Sequence, residues 1–175
     1  DRQGNVLTRK ESRALPAAAS SSGSVVKTTT GTYDLRGRML SEETEVSGSA
    51  AGTAAVTGSV QYAYDELGRP KGVTTGDGVQ TGRTYTTQGW QSGMTVTDSL
   101  DAPVFSQDLS YQECGFISGV TSRQGSADAL SFGVTYDRAG RMTSWKQAES
   151  NAFAEKDITY DPNGNILTLR RYGPD

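Results

Sequence analysis

Apolar and polar residues alternate along several short stretches of the chain, which is the period of a β-strand with one packed face. The alternating sets are Val60, Tyr62 and Tyr64; Leu109 and Tyr111; Phe132, Val134 and Tyr136; Ile158 and Tyr160. Each set ends in a tyrosine, and residues that favour a turn follow it. Apolar residues resume after the turn, near Met39, Met142 and Ile166. The pattern therefore predicts consecutive antiparallel hairpins.

The tyrosines open a recurring unit, Tyr-Asp-x-x-Gly followed by Arg or Asn. Four complete copies occupy residues 33–38, 64–69, 136–141 and 160–165, and residues 1–5 form a copy without its tyrosine. Two further copies, beginning at Tyr85 and Tyr111, keep the tyrosine and the glycine but lack the aspartate. The seven glycines lie at positions 4, 37, 68, 89, 115, 140 and 164. Such self-similarity indicates a repeat architecture.

Each residue of the unit has a role in a tight turn. Aspartate at the first corner accepts hydrogen bonds from backbone N–H groups that follow it. Glycine three residues later supplies the positive φ that closes a type I turn with a bulge. The predicted motif residues are Tyr33, Asp34, Gly37, Tyr64, Asp65, Gly68, Tyr136, Asp137, Gly140, Tyr160, Asp161 and Gly164.

A second, variable turn must follow each outgoing strand, and residues 75–78 and 149–151 are predicted examples. The whole chain, residues 1–175, is expected to be one repeat region of about seven hairpin motifs. Stretches rich in Ser, Ala, Gly and Thr predict flexible loops near residues 14–29 and 47–58.

Composition supports an all-β chain and excludes several chemistries. The 175 residues include 21 Gly and 8 Tyr but no histidine, which removes Ser-His-Asp catalysis, histidine zinc sites and histidine pH switches. Cys114 stands alone, so no intrachain disulfide framework exists, and a small, partly buried hydrophobe is expected there. A pI near 5.0 gives no basic footprint for nucleic acid. No apolar run is long enough for a membrane span, and no signal peptide is visible.

These copies resemble the YD-repeat family, also called RHS repeats, found in bacterial toxin shells, wall-associated proteins and animal teneurins. The resemblance extends from Asp1 to about Leu169. It implies an all-β fold in which consecutive antiparallel hairpins form one long curved, spiral sheet that is part of a shell. In many bacterial members, that shell encloses a toxic C-terminal domain. The resemblance also implies that the motif tyrosines and aspartates pack successive hairpins together.

The function expected from this resemblance is structural. The chain would be a non-catalytic segment of a larger secreted or cell-surface protein, and its start inside a motif suggests an excised piece. Expected partners are the flanking repeats and an enclosed toxin domain. Seven motifs give at most about fourteen strands, so an open sheet that self-associates through its edges is also expected. No cofactor, metal ligand or catalytic residue is predicted.

Two other functions stay open as hypotheses. A carbohydrate or cell-surface ligand could bind the sheet or its loops, with Trp90 and Trp145 as stacking residues, although packing explains both. A self-cleaving segment could use Asp161, because 161–164 read Asp-Pro-Asn-Gly; the preceding tyrosine instead marks an ordinary repeat copy. A calcium loop starting at Asp161 fails, since Ile166 and Tyr172 occupy positions that require Gly and Glu.

Overall fold

The structure, a computed structural model, describes residues 1, 3–14, 24–48, 55–148 and 154–173. Regular structure in these residues consists of β-strands alone. The strands are β1 (Thr8–Ala14), β2 (Ser24–Tyr33), β3 (Met39–Gly48), β4 (Val56–Tyr64), β5 (Pro70–Thr75), β6 (Gln80–Tyr85), β7 (Gln91–Thr97), β8 (Pro103–Tyr111), β9 (Ile117–Gln124), β10 (Leu130–Tyr136), β11 (Met142–Gln147), β12 (Ala154–Tyr160) and β13 (Ile166–Tyr172).

The strand order in the sheet follows the chain order from β1 to β13. The pairings within residues 1–81 and within residues 82–175, the two compact units of the chain, are antiparallel. The predicted all-β fold of consecutive antiparallel hairpins is therefore confirmed. The expectation of a single repeat region across residues 1–175 stays a prediction.

Five motif tyrosines mark a register shift in their hairpins. Thr32 pairs with Ser41, but the next residue, Tyr33, pairs with Met39, so Leu40 is an extra residue on the outgoing strand. The same shift occurs at Tyr64, Tyr111, Tyr136 and Tyr160. A β-bulge thus accompanies the tight turn, as expected for a turn closed by a residue of positive φ.

The register between one hairpin and the next is also repeated. We number the motif from its tyrosine, so that Asp is position 2, Gly position 5 and the following residues positions 6 and 7. Four of the described pairings join position 9 of one copy to the residue three before the next tyrosine: Thr8–Thr30, Ser41–Gln61, Gly93–Asp108 and Gly119–Gly133. The pairing of β11 with β12 departs from this register. Asp157 in β12 adopts φ 54°, and the ladder is displaced there at a bulge.

The two faces of the strands differ in chemistry. The face that carries the motif tyrosines, here called the tyrosine face, also bears Leu109, Val120 and Phe132. The opposite face bears hydroxyl pairs, such as Thr121 with Ser131 (Oγ atoms 3.0 Å apart). Ala154 and Ile158 are the buried hydrophobic residues in the described part of the chain, and its other large side chains are half-buried or exposed.

The predicted flexible loops are wrong where the structure describes them. Residues 24–29 lie in β2, residues 47–48 end β3, and residues 56–58 begin β4. Thr and Val suit a pleated sheet once neighbouring strands complete their backbone hydrogen bonds, and the Thr29 and Thr44 hydroxyls also meet at 3.3 Å. Residues 15–23 and 49–54, and the predicted turn at 149–151, lie outside the described residues.

The predicted variable turn at 75–78 is present. Gly78 N donates to Thr75 O at 2.8 Å, and Thr75 N donates to Val79 O at 2.9 Å. Gly78 has φ 90°, the left-handed conformation that glycine adopts without a steric cost. This loop therefore has the same backbone hydrogen bonds as the motif turns described below.

Candidate functional site at the motif turns

The motif aspartate organises the backbone of its own turn. Asp34 Oδ1 accepts hydrogen bonds from Arg36 N at 2.8 Å and Arg38 N at 2.9 Å. Gly37 N donates to Asp34 O, and Asp34 N donates to Arg38 O. Asp137 and Asp161 make the same set of four bonds. Each turn thereby satisfies backbone N–H groups that a strand ladder cannot reach.

The second aspartate oxygen binds the side chain at position 6. Arginine Nε donates to this Oδ2 in three copies, at 2.6 Å for Arg38 and Arg69 and 2.8 Å for Arg141. Asparagine Nδ2 donates to it in two others, at 2.9 Å for Asn5 and 2.8 Å for Asn165. Arg and Asn can replace each other at position 6 because both present an N–H donor to the same carboxylate oxygen.

These contacts hold the aspartates in their charged form. The backbone N–H of Arg38 lowers the pKa of Asp34, and that of Arg141 lowers the pKa of Asp137. The Asn165 side-chain amide, followed by its backbone N–H, lowers the pKa of Asp161. At Asp65, partial burial opposes the bonds from the following arginine, yet its pKa is also lowered. A carboxylate kept ionised by its own turn is poorly suited to share a proton in an aspartyl dyad.

The motif tyrosine connects its hairpin to the preceding one. Its hydroxyl donates to the carbonyl oxygen at position 7 of the preceding copy. The four bonds run from Tyr33 to Val6 (3.1 Å), Tyr64 to Met39 (2.8 Å), Tyr111 to Gln91 (2.6 Å) and Tyr160 to Met142 (2.7 Å). These bonds link residues that are 18 to 27 positions apart in the chain. The tyrosine is therefore a brace between hairpins.

The side chain at position 6 packs on the ring of the next tyrosine. Arg38 Cζ lies 4.5 Å from the Tyr64 ring centroid, and Arg141 Cζ lies 4.6 Å from that of Tyr160. Aromatic residues take the same place in the two copies without aspartate: Trp90 lies 5.2 Å from Tyr111, and Phe116 lies 5.1 Å from Tyr136, between ring centroids. Cation–π contact and ring stacking thus serve the same packing position.

The motif glycine leaves room for this packing. A Cβ at residue 140 would lie 2.5 Å from Phe116 Cζ, and one at residue 115 would lie 3.0 Å from Trp90 Cζ2. All seven motif glycines also have φ between 78° and 94°. Gly115 and Gly140 therefore meet two requirements together, a left-handed backbone and close approach by the preceding copy.

Positions 2 and 6 change together within the chain, a relationship that the sequence reading missed. Asp at position 2 occurs with Arg or Asn at position 6, whereas Thr86 occurs with Trp90 and Gln112 with Phe116. Without a carboxylate at position 2, an arginine at position 6 would lose its ion pair. An aromatic ring at position 6 packs on the next tyrosine and needs no ion pair. Aligning the seven copies on their glycines would have revealed this pairing.

A further turn of this geometry was also missed. Asp98 Oδ1 accepts from Leu100 N and Ala102 N, both at 2.9 Å, and Asp101 occupies the glycine position with φ 60°. Aspartate tolerates the left-handed region better than most residues. The loop lacks both tyrosine and glycine, so the motif pattern did not detect it.

The remaining candidate residues have structural explanations or lie at the surface. Trp145 packs edge-on against Phe132, with ring centroids 5.7 Å apart, and donates its indole N–H to Glu155 at 3.1 Å. Cys114 is exposed, so the prediction of a partly buried hydrophobe is wrong; the residue lies at the solvent side of its turn. The described residues hold no group of three His, Cys, Asp or Glu side chains placed for a metal ion. They also include no helix with the length and apolarity to span a membrane.

The fold is similar to parts of several solved crystal structures that contain TcdB2–TccC3. In a TcdB2–TccC3–Cdc42 crystal structure the match covers 85% of this chain and 9% of the matched chain, with a TM-score of 0.60 and 14% identity. In a TcdB2–TccC3 structure it covers 99% of this chain and 11% of the matched chain, with a TM-score of 0.60 and 13% identity. In a TcdB2–TccC3 structure without the hypervariable C-terminal region it covers 98% of this chain and 11% of the matched chain, with a TM-score of 0.57 and 14% identity. The chain thus spans 9–11% of the length of these chains.

No family model and no curated protein matches the sequence. The structural likeness shows a fold of the YD-repeat, or RHS-repeat, type.

Proposed function

We propose that this chain is a non-catalytic structural segment of a larger secreted or cell-surface protein. Its hairpins would contribute to a β-shell that encloses or displays a C-terminal effector. The brace between hairpins carries this proposal: each described motif aspartate binds within its own turn, and four motif tyrosines bind the preceding copy.

The contacts explain why such a segment would be structural. The described motif carboxylates are bonded within their own turns, and four tyrosine hydroxyls are bonded to the preceding copy, which leaves these groups without a free role in chemistry. Positions 6 and 7 of one copy and positions 1 and 5 of the next form one contact. Adding a copy therefore extends the same interaction, as in other repeat proteins whose units stabilise their neighbours.

The likeness to TcdB2–TccC3 supports the shell. This chain corresponds to about a tenth of the matched chains, so the flanking repeats of a larger protein are its first proposed partners, and an enclosed toxin domain is its second. A secreted or surface location is proposed on the same likeness.

Limited proteolysis of the full-length protein tests enclosure. Gly140→Ala would force a Cβ against Phe116 and open the hairpin contact, so the region C-terminal to the repeats should be digested faster than in the native protein. Gly133→Ala is the matched control, because a Cβ there meets no atom within 4 Å. If the region C-terminal to the repeats is digested as fast in the native protein as in Gly140→Ala, enclosure is ruled out.

A further inference from the structure

We infer that Asn163 is a site of spontaneous deamidation, and that its isoaspartyl product no longer closes the motif turn at residues 161–165. The inference concerns a chemical modification of the chain and does not rest on the proposed function. Among the asparagines of the sequence, Asn163 alone precedes a glycine, Gly164. Glycine has no side chain to shield its backbone nitrogen, so this nitrogen can reach the neighbouring side-chain amide.

The Asn163–Gly164 segment is accessible to water. Both residues are exposed, and the described contacts give the Asn163 side-chain amide no hydrogen-bond partner. A Cβ at residue 164 would meet no atom within 4 Å, whereas one at residue 140 would lie 2.5 Å from Phe116 Cζ. The preceding copy therefore covers the glycine at 140 but leaves the glycine at 164 uncovered.

The reaction consumes only water. Hydroxide takes the proton from Gly164 N, and this nitrogen attacks Asn163 Cγ. The new bond joins N to Cγ, the bond from Cγ to Nδ2 breaks, and the leaving nitrogen takes a proton from water and departs as ammonia. The succinimide that results adds water at either ring carbonyl and opens to an aspartyl or an isoaspartyl residue. The chain stays joined in both products, because the isoaspartyl form connects residues 163 and 164 through Cγ.

The turn must open before this attack takes place. Gly164 N donates to Asp161 O at 3.1 Å, and Asp161 Oδ1 accepts from Asn163 N at 2.9 Å and from Asn165 N at 2.8 Å. These bonds engage the attacking nitrogen and fix the backbone on both sides of it. Every residue of β13 is exposed, so local opening of this hairpin costs little free energy. The rate of deamidation should therefore follow the opening of the turn.

An isoaspartyl residue would add a carbon atom to a loop with no spare length. Asp161 N donates to Asn165 O at 2.9 Å, and Asp161 Oδ1 accepts from Asn165 N, so these bonds span five consecutive residues. A further main-chain atom between residues 163 and 164 displaces Asn165 N from the carboxylate that it binds. The modification thereby opens the turn between β12 and β13.

Mass spectrometry of the native chain after incubation in mildly alkaline buffer tests the site. The tryptic peptide 157–170 contains Asn163 and Asn165, and it should gain about 1 Da at Asn163 alone. Asn165 is the internal control, because Ile166 follows it and its amide donates to Asp161 Oδ2 at 2.8 Å. An unmodified Asn163, at a time when the free synthetic peptide has reacted fully, would overturn the inference.

The variant Asn163→Gln separates deamidation from other damage. It should gain no mass in the same period, since glutamine would have to form a larger ring. It should also keep the turn, because Gln3 and Gln88 occupy the same motif position in other copies. After incubation, the β13 amides should exchange hydrogen faster in the native chain than in this variant. Equal exchange in the two, with Asn163 fully converted, would show that the isoaspartyl turn still closes.

A second pair of variants tests the dependence on the turn. Asp161→Ala removes the carboxylate that accepts the turn N–H groups, and it should speed deamidation of Asn163 about tenfold. Asp34→Ala makes the same change in a distant motif turn and should leave the rate within about twofold of the native value. Equal rates in Asp161→Ala and the native chain would overturn the control of this reaction by the turn.

Discussion

The hydroxyl of Tyr64 donates to the carbonyl of Met39, 2.8 Å away, and joins two hairpins that are also connected by their strand ladder and by the packing of Arg38 on the Tyr64 ring. Removing this hydroxyl by Tyr64→Phe should destabilise the chain by about 1 kcal/mol, since the ring packing stays and one hydrogen bond is lost. The expected fall in melting temperature is about 2–4 °C. Thermal denaturation followed by circular dichroism measures it.

Tyr62→Phe is the control for this prediction, because the described contacts give the Tyr62 hydroxyl no hydrogen-bond partner. Its melting temperature should match that of the native chain within about 1 °C. Equal stability of the two variants would show that the brace adds nothing to the ladder.

Gly140→Ala should be more damaging than a brace variant. The new Cβ would meet Phe116 Cζ at 2.5 Å, and alanine would have to adopt the φ of 78° that glycine holds there. Overpacking and a left-handed alanine together should cost about 2–4 kcal/mol. Urea denaturation of this variant beside Gly133→Ala measures the difference.

A second substitution separates the two causes at this site. Phe116→Leu shortens the ring that the new Cβ would meet but leaves the backbone conformation unchanged. The double variant Gly140→Ala/Phe116→Leu should therefore lose less stability than the sum of the single variants. Simple additivity would mean that backbone strain alone accounts for the cost.

The paired change at positions 2 and 6 can be tested by exchange. Phe116→Arg alone places a guanidinium beside Tyr136 without a carboxylate, whereas Gln112→Asp/Phe116→Arg rebuilds the pair found at Asp137 and Arg141. A double-mutant cycle should show favourable coupling of about 0.5 kcal/mol or more. Zero coupling would mean that the two positions are chosen independently.

The aspartates predict loss of stability in acid. Hydrogen bonds lower the pKa of Asp34, Asp137 and Asp161 below the ordinary value of 3.8. Because the folded pKa lies below the unfolded one, their stabilisation is fully present above about pH 5 and is lost as pH falls through the folded values. Melting temperatures measured from pH 6 to pH 2 should decline below pH 4. A variant with these three residues changed to Asn should show a flatter profile.

Asp161 is expected to take no part in cleavage. Both of its oxygens accept bonds from its own turn, Oδ1 from Asn163 and Asn165 and Oδ2 from the Asn165 side chain. The purified chain should keep its full mass during prolonged incubation near neutral pH, as measured by mass spectrometry. A specific internal cut that Asp161→Ala abolishes would restore the self-cleaving hypothesis.

The turns could be predicted from sequence because their interactions are local. The carboxylate of Asp34 reaches N–H groups two and four residues on, so its role is encoded within five consecutive residues. The same holds for the glycine φ and for the bulge at Tyr33. The hairpin order follows from these turns.

The brace could not be predicted in the same way, because it joins distant positions. Arg38 packs on Tyr64 only when the strands between them have the observed lengths and register. The flexible loop predicted near residues 14–29 rests on the Ala-, Ser- and Gly-rich residues 17–24, yet two neighbouring strands complete the backbone hydrogen bonds of residues 24–29. Local composition does not reveal whether neighbouring strands will provide these backbone hydrogen-bond partners.

The register shift at the five motif tyrosines has a consequence for how such chains vary in length. Each hairpin is aligned from its motif turn, so its far end is free to gain or lose residues while the brace stays in place. β2 and β3 have ten residues each, whereas β5 has six, and both hairpins make the same tyrosine bond at the motif end. Foreign peptides could therefore be inserted at the variable turns, such as the one at 75–78, without altering the alignment of neighbouring hairpins.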